Sequence, residues 1–126
     1  MEEKIYPTRK EAVLQINDIL NKLEEKVKSE CEKVISYSGL KATILSRRYC
    51  SEWFDVKGKG INKLKIGVGF RLVIFEDFNK LEKEKVNIRM SIRTLRKKIQ
   101  EIMHKHGLKY SQKYGYRFEV EAYYKY

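Results

Sequence analysis

The sequence has little proline, little cysteine and no long apolar run, and each shortage excludes a class of protein. Pro7 is the only proline in 126 residues, so no proline-rich linker divides the chain, and its length suits a single domain over 1–126. No apolar stretch approaches the roughly 20 residues of a membrane span, and residues 1–4 lack the apolar segment of a signal peptide. We therefore expect an intracellular, cytoplasmic protein without a membrane partner, in which Cys31 and Cys50 are thiols.

Sequence motifs of catalysis are also missing. The chain has no Walker motif, glycine-rich dinucleotide fingerprint, nucleophile elbow or CxxC pair. His104 and His106 are two residues apart near a helix end, a spacing that splays them. Glu119, Glu121 and Lys125 form the best catalytic candidate, because nucleases hold Mg²⁺ with paired carboxylates and a lysine. Such spacing also arises by chance, so we predict no catalytic residue, no metal and no cofactor, with a nuclease as an alternative.

Positive charge is what the chain has in excess. The formal net charge is +11. Residues 1–38 carry seven Lys/Arg and eight Asp/Glu, a net of −1, so residues 39–126 carry a net of +12. A basic domain of this size typically binds a polyanion. The alternative is a lysine-rich surface that serves only solubility.

The stretch from Ile61 to Glu76 predicts the central element of the fold. Its even positions from Leu64 to Ile74 are all apolar, whereas the odd positions from 63 to 71 are Lys63, Lys65, Gly67, Gly69 and Arg71. Alternation with a period of two over this length indicates a long strand with one buried and one open face. The buried face predicts a core, and the open face is cationic.

The remaining segments predict an α+β fold. We expect a two-layer sandwich: an antiparallel β-sheet of four to five strands with a long N-terminal helix and a shorter second helix, in the order α-β-β-β-α-β. The boundaries are a long helix in 1–39, antiparallel strands in 40–92, a second helix in 93–107 and a tyrosine-rich C-terminal strand in 108–126. Within the second segment, Lys85 to Ile92 is the predicted hairpin partner of the central strand.

The first helix has a wide apolar stripe that suggests two uses. Thr8 with Glu11 forms a capping box at its start, and Gly39 suits a left-handed residue after its end. The stripe can pack on the sheet, or it can pair with a second copy of the chain. We expect one half to do each, which gives a homodimer or higher homo-oligomer through the N-terminal helix.

A cationic surface on the open face is the predicted binding site. Its members are Lys57, Lys59, Lys63, Lys65, Gly67, Gly69, Arg71, Lys85, Arg89 and Arg93. Gly67 and Gly69 either allow a ligand to approach closely or make room for a bulky neighbouring side chain. We predict a small, basic, non-enzymatic nucleic-acid-binding protein, with DNA and RNA both open. The alternative is an interaction or inhibitor protein, of the kind found in phages and mobile elements, that binds an acidic protein surface or a nucleotide-like ligand.

Overall fold

The computed structural model describes residues 4–55, 58–75 and 88–125 and confirms the α+β class. The elements of this part, in chain order, are β1 (Ile5–Tyr6), α1 (Arg9–Ser38), β2 (Ala42–Trp53), β3 (Ile61–Ile74), α2 (Ile92–Lys105), β4 (Lys109–Ser111) and β5 (Gly115–Lys125). No helix in the described ranges is both long and apolar enough to cross a membrane.

The sheet is mixed, with β3 between β2 and β5. Its order is β1-β5-β3-β2, and β4 pairs with the first residues of β5. Strand β3 is antiparallel to both of its neighbours, whereas β1 lies parallel to the end of β5. In the described residues, β2 therefore has a strand on one side only.

We predicted a hairpin strand over Lys85 to Ile92, and this prediction is wrong for the part of the segment that the structure describes. Residues 85–87 lie outside the described ranges, residues 88–91 form no strand, and Ile92 already begins α2. The Ser91 hydroxyl accepts a hydrogen bond from the Thr94 N–H at 3.1 Å, which caps the helix at this point. The place beside β3 is taken by β5.

Helix α1 begins and ends where the sequence predicted. The Thr8 hydroxyl accepts a hydrogen bond from the Glu11 N–H at 3.2 Å, and Gly39 has a left-handed φ of 76°. Its fully buried residues follow one stripe along the whole length and join the core beneath the sheet: Ala12, Ile16, Leu20, Val27 and Cys31. Packing on the sheet thus occupies the stripe that we expected to be shared with a dimer contact.

The core lies between the helices and the even positions of β3. Leu64, Val68 and Phe70 are fully buried there, and Leu95, Ile99 and Met103 of α2 enter the same cluster. This confirms the side of the central strand that was predicted to be buried. Cys31 lies in this core, where burial raises the pKa of its thiol to about 12, and both cysteines are free.

A cluster of charged and polar side chains forms hydrogen bonds between the edge strand β2 and α1. The Glu24 carboxylate accepts hydrogen bonds from the Ser46 hydroxyl at 2.5 Å and from Arg48 Nη2 at 2.9 Å. Arg48 also donates to the side chains of Asn17 and Asn21. Although desolvation opposes the effect, these hydrogen bonds hold the pKa of Glu24 below its usual value. Since even-numbered residues of β2 point to the helix, its odd-numbered residues face the other way.

Candidate functional site

The open face of the sheet is formed by the odd-numbered residues of β2, β3 and β5. The strand register aligns them in rows across the three strands. From one end, the rows are Leu45–Arg71, Arg47–Gly69–Arg117, Tyr49–Gly67–Glu119, Ser51–Lys65–Glu121 and Trp53–Lys63–Tyr123. No helix covers this face in the described residues, so its chemistry is set by these side chains and by the β4–β5 turn, residues 112–114.

The ring of Tyr49 crosses β3 over Gly67. A β-carbon at Gly67 would lie 2.3 Å from Tyr49 Cζ, so only glycine leaves room for the ring. The Tyr49 hydroxyl then reaches β5, where it donates a hydrogen bond of 2.6 Å to Glu119. Burial, together with this hydrogen bond, raises the pKa of Tyr49 to about 12. The phenol therefore remains a protonated donor at neutral pH.

Gly69 makes room in the same way for the β4–β5 turn. A β-carbon there would lie 2.2 Å from the Tyr114 carbonyl oxygen. This close approach brings the Tyr114 ring onto Tyr49, with centroids 4.1 Å apart and planes 10° from parallel. Of the two roles considered for Gly67 and Gly69, the geometry favours space for bulky neighbours, which here are two stacked tyrosines.

One half of the open face has its cations paired with carboxylates, and we call it the neutralised patch. Lys63 Nζ lies 3.3 Å from Glu121, and Lys65 Nζ lies 3.5 Å from Glu119. Arg117 also forms an ion pair with Glu119. The two ammonium groups lie 5.0 and 5.2 Å from the centroid of the Trp53 ring, which adds a cation–π contact. Two carboxylates thus offset most of the charge of these three cations.

Glu119 is the centre of that patch. Desolvation raises its pKa, but the hydrogen bond from Tyr49 and the charges of Lys65 and Arg117 outweigh it, so the pKa is lowered overall. Each partner favours the ionised carboxylate, and Tyr49 and Arg117 both donate hydrogen bonds to its Oε1. The nuclease alternative would need these oxygens for Mg²⁺, and the described residues contain no group of three potential ligands that could hold a metal ion.

The other half of the open face is a groove with unneutralised cations, which we call the basic groove. It has a volume of about 730 Å³ and runs along β2 beside the β4–β5 turn. Arg47, Arg71 and Lys113 line it together with the stacked Tyr49 and Tyr114. Arg71 Nη2 donates to the carbonyl oxygens of Gln112 and Lys113 at 2.9 and 2.7 Å, which fixes the turn but leaves the charge uncompensated. None of these three cations has a carboxylate partner within the described ranges.

The sequence matches no known family model, no curated protein and no solved structure. The assignment of a function therefore depends on the geometry of the open face.

Only half of the predicted site residues lie on the open face. Lys63, Lys65, Gly67, Gly69 and Arg71 do, and of these Gly69 and Arg71 line the basic groove. Lys59 is exposed in the connection between β2 and β3, and Lys57 and Lys85 lie outside the described residues.

Arg89 and Arg93 were predicted to extend the cationic face, and the structure places both elsewhere. The Arg89 N–H donates to the Ser38 carbonyl at 2.8 Å, and its guanidinium lies 5.2 Å from the centroid of the Tyr37 ring, so it packs at the end of α1. Arg93 is exposed in the first turn of α2. The prediction failed because it assumed a strand where the chain has a loop and a capped helix.

Sequence reasoning missed most of the basic groove. Arg47, Tyr49, Lys113 and Tyr114 were not among the predicted site residues. The glycine pair and the six tyrosines in 108–126 were the available signals. They could not be combined, because which tyrosine faces which glycine depends on the strand register.

Proposed function

We propose that this protein binds nucleic acid through the basic groove. The observation that carries the proposal is the grouping of three unneutralised cations around a stacked pair of tyrosines in one concave surface. Cations that contact phosphates and aromatic rings that contact bases are the combination used by proteins that bind nucleic acid without sequence preference. The net charge of +11 adds a long-range attraction for a polyanion.

The salt dependence of binding tests this proposal. Three phosphate contacts give a slope of log K against log salt of about −2 to −3. The assay is fluorescence anisotropy of labelled oligonucleotides of random sequence between 50 and 200 mM salt. Arg47→Glu and Lys113→Glu should each weaken binding by about fivefold or more and bring the slope closer to zero by about one. The loss should not depend on base sequence, because phosphate contacts position rather than specify.

Matched controls separate the groove from general basicity. Arg93→Glu makes the same change of charge in the helical layer, and Lys65→Glu makes it within the neutralised patch. Both should weaken binding less than Arg47→Glu. If Arg93→Glu is as harmful as Arg47→Glu, the attraction is due to net charge alone. If no oligonucleotide binds at 50 mM salt, the proposal is wrong.

A second candidate function is the capture of an acidic protein segment, and the edge of β2 favours it. The contiguous residues 45–48 of this edge strand line the groove, and β2 has one strand neighbour in the part of the chain that the structure describes. An extended peptide can add to such an edge through main-chain hydrogen bonds. Acidic peptides that displace an oligonucleotide much better than polyglutamate of equal charge would support this function over the first.

A further inference from the structure

The stacked tyrosines carry an inference about which form of nucleic acid the groove accepts, and it rests on the proposed function. Both rings are held in place before any ligand arrives. The hydrogen bond to Glu119 and the space above Gly67 fix Tyr49, and the close approach at Gly69 fixes the backbone of Tyr114. Because the rings are already ordered, a ligand that stacks on them loses little affinity to the ordering of the protein.

One face of the Tyr114 ring is not covered by another ring of the described residues. Its other face is occupied by Tyr49 at 4.1 Å, which leaves no room for an ammonium between the rings. The Lys113 ammonium, 5.1 Å from the Tyr114 centroid, therefore covers the outer face. Tyr114 is half-buried and lines the groove, so a group bound in the groove can reach this ring.

A base is a suitable replacement for that ammonium. The stacking of a base on an aromatic ring is a stronger interaction than an exposed cation–π contact, and every base has a π-face. Lys113 has a long, flexible side chain, so when displaced it can move to a phosphate beside the stacked base. Arg47 lies opposite Gly69 on β2, and Arg71 lies two residues beyond Gly69 on β3, so both are placed to contact neighbouring phosphates.

Such stacking distinguishes single strands from duplexes. In a duplex each base is covered by its neighbours, whereas unpaired bases can be splayed out onto aromatic side chains. We propose that the basic groove binds single-stranded nucleic acid, with one unpaired base stacked on the outer face of Tyr114 and the flanking phosphates held by Arg47, Arg71 and Lys113.

The test compares three 12-nucleotide ligands with the full chain at one salt concentration: a thymidine or uridine single strand, a blunt duplex, and a single strand of abasic sites. The abasic strand keeps the phosphates but has no base to stack. The intact single strand should bind about 5- to 100-fold more tightly than the abasic one, the range expected for one stacked base. The duplex should bind no better than the abasic strand.

Tyrosine variants test which ring the base contacts. Tyr114→Ala should lose this 5- to 100-fold preference with an unchanged salt slope, whereas Tyr114→Phe, which keeps the ring, should retain it. Tyr110→Ala is the control, because that ring is exposed on β4 outside the groove. Equal affinity of the wild-type protein for the intact and abasic strands would overturn the inference while leaving the proposed function in place. Absence of binding to all three ligands would overturn both.

Discussion

Alanine at Gly67 or Gly69 tests how the stacked tyrosines are built into the sheet. The added β-carbon would lie 2.3 Å from Tyr49 Cζ in the first case and 2.2 Å from the Tyr114 carbonyl oxygen in the second. Neither distance is tolerable, so an atom must move in each variant. At Gly67 the obstacle is the far end of a side chain, which can rotate away. At Gly69 the obstacle is backbone, which moves only if the β4–β5 turn is distorted.

The expected losses of stability follow from what each movement breaks. When Tyr49 rotates away, it loses a hydrogen bond to a carboxylate, about 1.5–3 kcal/mol, and a ring contact, about 0.5–1.5 kcal/mol. Alanine in a strand recovers about 0.5–1 kcal/mol relative to glycine. Gly67→Ala should therefore lower the free energy of unfolding by about 1–4 kcal/mol. Gly69→Ala should cost about 3 kcal/mol or more, the upper end for overpacking, because backbone must yield.

Equilibrium unfolding in urea measures both effects, and a second background isolates their cause. In a Tyr49→Ala protein the obstacle at Gly67 is gone, so Gly67→Ala should become stabilising by about 0.5–1 kcal/mol. In a Tyr114→Ala protein, Gly69→Ala should still destabilise, because the carbonyl oxygen remains. If Gly67→Ala lowers the free energy of unfolding by the same amount with and without the Tyr49 ring, then glycine is not required at position 67 to make room for that ring.

Three further predictions concern the core, the edge strand and self-association. Phe70→Ala should lower the free energy of unfolding by about 3–5 kcal/mol, whereas Lys63→Ala, which removes a surface ion pair, should lower it by less than about 1 kcal/mol; thermal unfolding compares them. Glu24→Gln should destabilise by about 1–3 kcal/mol near neutral pH. Folding lowers the pKa of Glu24, so the difference in stability between the wild type and Glu24→Gln is present at pH values above 4.5, the ordinary pKa of Glu24. This difference should shrink as the pH falls through the pKa of Glu24 in the folded state, and urea unfolding at pH 7 and pH 3 tests whether it does. If the chain forms a dimer through α1, Leu14→Lys or Ile19→Lys should weaken it in sedimentation experiments, since these two side chains are 59% and 48% exposed; a monomer at about 100 µM would refute self-association.

The main elements were predictable because their signals are local. A capping box, a stripe of apolar residues and a left-handed glycine define α1 within one stretch of sequence. The alternation from Leu64 to Ile74 defines β3 and its buried face. The strand prediction for Lys85 to Ile92 was wrong because apolar and polar residues also alternate there. Alternation over so few residues does not distinguish a strand from a segment that ends in a capped helix. Which strands pair with β3 is a long-range property, and no local pattern separates Lys85–Ile92 from Gly115–Lys125 as its partner.

The site was predicted only in part because charge pairing is also long-range. Lys63 and Lys65 read as free cations on their own strand, but the register places Glu121 and Glu119 on β5 one row away from them, where each forms an ion pair with its lysine. Arg71 was selected for its position in the alternation, and the structure gives it a different neighbour, the carbonyl oxygens of the β4–β5 turn. The composition of the sequence thus indicated a basic face. It could not indicate which cations of that face lack a carboxylate partner.

The carboxylates in this basic face determine where a polyanion can bind. Glu119 holds Tyr49 by one hydrogen bond and neutralises Lys65 and Arg117 nearby. The same residue therefore orders the floor of the basic groove and removes competing positive charge from the patch beside it. A phosphate that approaches the open face meets the Glu119 carboxylate on β5, whereas Arg47 has no carboxylate partner among the residues that the structure describes, so the potential should direct the phosphate to the edge of β2. On this argument Glu119→Gln should do two things at once: loosen the tyrosine stack, and free Lys65 and Arg117 to attract phosphates outside the groove. Total affinity for an oligonucleotide should then change little while the preference for intact over abasic strands falls, a combination that the loss of a simple repulsive charge would not produce.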